Sequence, residues 1–359
     1  MSEIDEDAVL SDFEGEEETH LEGVEENEKI TPLSKATQQL PYVSRGHTPL
    51  EQVSFPGVFK AGSLTPKVQV CYLTQETISQ GLSLLCRTGN GLGHAFVKLD
   101  LKDNGLSDIT AVSSFIHLRF LDVSNNHLTD LSPLASLTQL LWLKVDCNAV
   151  ACFKGQPFTQ LTYLQWLSMA ANRLTDLDGL VGPALESLNL TGNGLKTVNG
   201  LQGGCFANLV TLELRGNHLD SIDGINLPNL RQLYLAQNVI KHLKGLERLE
   251  HLTTFHLRDN QLDTLEGLSP NMKCLQYLNV RGNAILYENA LKCLGLVSKT
   301  LRALVLSENP LVETNDYRLS VLVLLPNLER LDKDLVSPEE RTEALERIKE
   351  LKEEEISLP

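Results

Sequence analysis

One frame, L-x-x-L-x-L-x-x-N-x-L, governs what this chain can fold into. It occurs first as FVKLDLKDNGL (Phe96 to Leu106). It recurs as LRFLDVSNNHL, LLWLKVDCNAV, LQWLSMAANRL, LESLNLTGNGL, LVTLELRGNHL, LRQLYLAQNVI, LTTFHLRDNQL, LQYLNVRGNAI and LRALVLSENPL. The frame asparagines are Asn104, Asn126, Asn148, Asn172, Asn193, Asn217, Asn238, Asn260, Asn283 and Asn309, spaced 21 to 26 residues apart. Copies at one narrow period define an array in which each unit buries its apolar side only against its neighbours.

The frame dictates the local structure. In WLKVD, Leu143 and Val145 point one way and Trp142, Lys144 and Asp146 the other, as in a strand. Each asparagine falls where the strand ends, and its amide can serve the backbone of an inward turn. Repeats this short leave little chain for the return side. Leu128, Leu131, Leu134, Leu137, Leu140 and Leu143 recur every three residues, which fits 3₁₀ turns better than α-helix. The 26-residue repeat is expected to hold a true helix in LYENALKCLGLVSKTL. The fold class is an α/β solenoid: a leucine-rich-repeat horseshoe of ten repeats of about 22 residues. Its parallel sheet is concave and its helical turns are convex.

The ends of an array need caps. Thr74 is a helix N-cap before a stripe of Ile78, Leu82 and Leu85, with Gly89 beyond the C-terminus. Ser337, Pro338 and Glu340 form a capping box for a charged helix with a narrow stripe of Ala344, Ile348 and Leu351. The expected divisions are an acidic tail and linker over 1–66, a helical cap over 67–95, and repeats over 96–311. A C-terminal cap over 312–335 and a helical tail over 336–359 complete the chain.

Charge is uneven. The net of −16 comprises −12 in residues 1–30 and −5 in 332–359, which leaves +1 for the body. A nearly neutral body argues against nucleic acid as a partner. The opening MSEIDEDAVL is acidic where a secretory signal is basic and then apolar. No apolar run approaches the roughly 18 residues of a membrane span. The seven cysteines form no C-x-x-C pair. The expected setting is the reducing cytoplasm, with no membrane partner.

Three columns of side chains face outward. The first includes Lys98, Phe120, Trp142, Trp166, Ser187, Thr211, Gln232, Thr254, Tyr277 and Ala303. Phe120, Trp142 and Trp166 stand on consecutive rungs, so both tryptophans of the chain join one aromatic strip. Such a strip marks an interface; the alternative is a strip covered by the linker or by Lys144. A second candidate patch gathers Arg215, Tyr234, His256, Arg258, Tyr277 and Arg281, suited to an acidic tail, its own or a partner's, against the alternative of scattered solvated charges. No H-E-x-x-H, G-x-S-x-G or P-loop is present. The glycine-rich RTGNGLG reads as a turn, and no catalytic residue, cofactor or metal ligand is assigned.

Several stretches go beyond what the frame dictates, among them GLSLLCRTGNGLGHAFVKLDLKDNGLSDI, IHLRFLDVSNNHLTDLSPLASLTQLLWLK, INLPNLRQLYLAQN and LTTFHLRDNQLDTLEG. Through these, residues 74–335 resemble a family of leucine-rich-repeat subunits of the radial spokes of cilia and sperm flagella. The resemblance implies a non-catalytic axonemal subunit near the spoke head that supports beating, with other spoke proteins as partners. It carries over no residue-level site. The terminal NDYRLSVLVLLPNLERLD also resembles the cap of phosphatase-regulating repeat proteins. The second reading is therefore an enzyme regulator bound through the concave face.

Overall fold

The computed structural model describes residues 72–357 apart from Asn90, Leu92 and Asn315. The described residues belong to one compact unit, Leu64–Pro359. The acidic tail and linker expected over 1–66 lie outside the described residues.

Strands form one sheet in strict chain order. A helix, α1 (Gln75–Gly81), leads into β1 (Leu82–Arg87) and β2 (His94–Asp100). The repeat strands follow as β3 (Phe120–Asp122), β4 (Trp142–Lys144), β5 (Trp166–Ser168), β6 (Ser187–Asn189) and β7 (Thr211–Glu213). Next come β8 (Gln232–Tyr234), β9 (Thr254–His256), β10 (Tyr277–Asn279) and β11 (Ala303–Val305). Helix α2 (Tyr317–Leu324), β12 (Arg330–Leu331), β13 (Asp334–Leu335) and helix α3 (Pro338–Ser357) close the chain. From β2 to β12 every pairing is parallel, and only the two end hairpins, β1–β2 and β12–β13, are antiparallel.

The register stacks equivalent residues. Leu121, Leu143, Leu167, Leu188, Leu212, Leu233, Phe255, Leu278 and Leu304 lie opposite one another in turn. All are fully buried, so the inward side chains form one continuous core along the array. Burying a leucine contributes about 1.5–3 kcal/mol, and here each repeat needs the next to achieve it.

Buried asparagines join the turns. Asn217 is representative: Nδ2 donates to Leu190 O at 3.0 Å, Leu214 O at 3.0 Å and Arg215 O at 3.4 Å, while Oδ1 accepts from Leu195 N at 3.1 Å. Two of those groups belong to the preceding repeat. Asn126, Asn148, Asn172, Asn193, Asn238, Asn260, Asn283 and Asn309 repeat the arrangement. Asn104 does not. It opens the array, has no preceding repeat turn to bridge, is exposed, and donates to its own Lys102 O at 2.9 Å. Ten equivalent inner asparagines were expected, and the first is the exception.

The bend before each asparagine also has a fixed backbone. The preceding residues, from Asp103 to Glu308, have φ between +52° and +68°. Only Gly192, Gly216 and Gly282 suit that region freely.

The return side runs in 3₁₀ turns such as Ser132–Ser136, where the leucine spacing of three aims Leu131, Leu134 and Leu137 inward together. The same physics corrects the helix expected in the long repeat. Glu288–Val297 is 3₁₀, because its buried residues Leu291, Leu294 and Val297 recur every three.

The N-terminal cap also differs from expectation. Thr74 Oγ1 accepts from Thr77 N at 3.2 Å as the expected N-cap, and Ile78 is buried. The helix, however, ends at Gly81, where a Cβ would lie 2.2 Å from the Asp100 carbonyl oxygen. Leu82 and Leu85 belong to β1, which pairs with β2 in register Leu85↔Phe96.

At the far end, Tyr317 Oη donates to Asp332 Oδ2 at 2.8 Å, and Asp332 Oδ1 accepts from Leu306 N and Ser307 N, both at 2.7 Å. Burial, and then the Asp332 carboxylate, push the Tyr317 phenol above its ordinary pKa. The capping box of α3 is reciprocal: Ser337 N donates to Glu340 Oε2 at 2.9 Å and Glu340 N donates to Ser337 Oγ at 3.2 Å. Arg318 Nε on α2 donates to Glu340 Oε1 at 2.7 Å, and Ala344 is buried. Leu345 and Leu351 are exposed, so only the first turns of α3 dock.

Candidate protein-interaction face

The sheet pleat places alternate side chains of each strand on the face away from the core. Parallel in-register pairing then converts a sequence position into a column. Phe120 lies opposite Trp142, and Trp142 opposite Trp166. The two indoles stack with centroids 4.6 Å apart and planes 8° from parallel. Phe120, Trp142 and Trp166 are each half-buried. Lys144 Nζ turns to Asp146 at 3.5 Å. Asp146 Oδ1 also accepts from Ser168 Oγ at 2.5 Å and Ala170 N at 2.8 Å, which ties β5 to the turn beside the rings.

The second patch divides by depth. His256 packs between Tyr234 and Tyr277, with ring centroids 5.0 and 4.9 Å away. His256 is 7% exposed and Tyr277 6%, so they are not freely solvated residues, although both stand on the outward face. Asn279 Nδ2 donates to Tyr277 Oη at 3.3 Å. The arginines lie farther along the turns. Arg215 is exposed and has no ion pair among the described residues. Arg258 pairs with Asp259 at 3.2 Å, and Arg281 with Glu308 at 2.5 Å. The hydrogen bond from Arg281, with added attraction from Arg258 and Lys333, holds the Glu308 carboxyl below its ordinary pKa. The register thus brings the aromatic trio onto adjacent rungs and spreads the arginine group over β7 to β10.

One apolar surface escaped the sequence reading. On the β1–β2 hairpin, Leu84, Leu85 and Phe96 are all exposed. The signal was Gly89-Asn90-Gly91, a hairpin-turn tripeptide, and the turn closes through Thr88 N to Gly93 O at 2.9 Å.

Family models for leucine-rich repeats match residues 206–358 and, as two copies, 97–140. Leucine-rich repeat-containing protein 23 of Homo sapiens is 53% identical over 286 residues, 79% of this chain and 82% of that protein. The chain belongs to the leucine-rich repeat-containing protein 23 family. The Bos taurus member is 53% identical over 272 residues, 76% of this chain and 78% of its own. Among solved structures, the functional domain of InlJ from Listeria monocytogenes shares the fold with a TM-score of 0.51 at 20% identity. That match covers 68% of this chain and 56% of that one. Membership and fold together make the protein a leucine-rich-repeat interaction scaffold. Among the described residues no helix is long and apolar enough to cross a membrane.

Proposed function

We propose that the protein is a non-catalytic structural subunit of the axonemal radial spoke, docked among other spoke proteins near the spoke head, and that it supports ciliary and sperm flagellar motility. One observation carries the docking reading: a half-exposed strip of Phe120, Trp142 and Trp166 on the outward face, with the indoles stacked. Rings held rigidly at an open surface lose little entropy on binding and are over-represented at interface hot spots. Membership of the family supports the axonemal setting.

The test is fractionation of flagella followed by cross-linking and identification of neighbours. The reading expects the protein to resist detergent extraction and to cross-link to spoke subunits. Recovery in the soluble fraction with a catalytic subunit would replace it with the enzyme-regulator reading.

A further inference from the structure

The outward face carries two different chemistries at a fixed separation. The stacked indoles lie on β4 and β5, while Arg215, Arg258 and Arg281 each stand two residues beyond the ends of β7, β9 and β10. From Trp166 toward Arg215 the floor over β5 and β6 is small and uncharged, with Ser168, Ala170, Ser187, Asn189 and Thr191, and on β7 Thr211 and Glu213 precede Arg215. Up to β7 no aromatic side chain rises from this floor, so a main chain can lie close to the sheet. Both edges of every inner strand are already hydrogen-bonded to neighbours. A ligand on this face is therefore read through its side chains.

We propose that this face binds an extended acidic segment of a partner polypeptide, laid diagonally across the strands. An apolar side chain rests on the Trp142–Trp166 rings, and carboxylates farther along meet Arg215 and then Arg258 and Arg281. The inference deepens the docking reading and rests on it.

Charge complementarity selects the acidic class. Arg215 is exposed without an ion pair among the described residues. Arg258 and Arg281 already hold neighbouring carboxylates, the chemistry that a planar guanidinium recognises. The depressed Glu308 pKa reports that carboxylates are favoured as anions at this end of the face.

Geometry sets the spacing. Arg215 is two rungs from Trp166 and four residues farther along the strand direction, a diagonal of about 16 Å; Arg258 and Arg281 are about 25 Å away. At about 3.3 Å per extended residue, the acidic positions fall about five and about eight residues from the apolar anchor.

The experiment pans a phage-displayed random library of peptides about twelve residues long, enough to span the face, against the full-length chain. Recovered peptides are then titrated against Arg215→Glu and against Trp142→Ala with Trp166→Ala. The expected pool pairs an apolar or aromatic residue with Asp or Glu at about those spacings, and each variant weakens binding by about tenfold or more. An empty pool, a basic pool, or binding that Arg215→Glu leaves unchanged overturns the inference. If any of these occurs while the tryptophan variant still fails to dock in flagella, the docking reading stands and only its acidic occupant is lost. If the tryptophan variant docks normally, the docking reading itself fails.

Discussion

The two sides of the same short strands follow different rules. Inward, nearly every repeat uses one residue in one role. Asn126 and Asn309, at opposite ends of the array, accept from and donate to equivalent backbone groups. Outward, no column keeps one residue type. The first runs from Lys98 through Phe120, Trp142 and Trp166 to Ser187 and Thr211. Residues fixed by the fold recur with the period, because each repeat meets the same backbone. Residues free of it vary, and a cluster among the free positions has to be explained by something outside the fold. The aromatic strip is such a cluster.

The largest expected effect breaks the inward rule. Asn217→Leu leaves the buried Leu195 N–H without its side-chain partner, while the Leu190 and Leu214 carbonyls keep Asn193 and Asn238 as donors. At about 1–3 kcal/mol for a buried unpaired donor, a loss of about 1–3 kcal/mol is expected in chemical denaturation. Asn104→Leu sharpens the contrast. Its amide is exposed and lies outside the ladder, so the expected change is within about 0.5 kcal/mol. Equal losses at both sites would show that the ladder is not what holds the turns.

A smaller effect concerns the left-handed residue before each asparagine. Gln237 has φ +57° and is exposed. Glycine avoids about 1–2 kcal/mol of steric cost there and loses about 0.5–1 kcal/mol in unfolded-chain entropy. Gln237→Gly is expected to stabilise by about 0.5–1 kcal/mol, read as a rise in denaturation midpoint. No rise would mean that the bend imposes no strain.

The smallest effect is the pH response of the C-terminal cap. The hydrogen bond from Arg318, aided by Ser337, depresses the Glu340 pKa. A depressed carboxyl contributes stability that is present above the unfolded glutamate pKa and is lost as pH falls through the folded one. Acidification should therefore loosen α3 before the repeats, seen as early amide exchange over 338–344. Glu340→Gln should remove most of that pH dependence.

Much of this architecture is legible in the residues alone. The repeat period implies the register, and with it the adjacency of Trp142 and Trp166, because parallel pairing of equivalent positions leaves no other arrangement. The capping box at Ser337 and Glu340 is equally local. The N-terminal hairpin is less accessible: Ile78, Leu82 and Leu85 fit a helical stripe, and only close packing of Gly81 on Asp100 turns the chain into β1. The depth of His256 and Tyr277 is also hidden, since alternation assigns a side of the sheet and says nothing of burial on that side.

The central claim is that the outward rings serve docking and not folding. It is tested most directly by Trp142→Ala with Trp166→Ala, measured for both stability and incorporation into flagella. Leu143, Val145, Leu167 and Met169 remain fully buried beneath the rings, and losing one stacked pair costs about 0.5–1.5 kcal/mol. Two hot-spot rings together carry about 4 kcal/mol or more of binding, a factor of several hundred or larger. The account predicts a folded, soluble variant that fails to enter the axoneme. A variant that unfolds, or one that folds and incorporates like the parent, contradicts it.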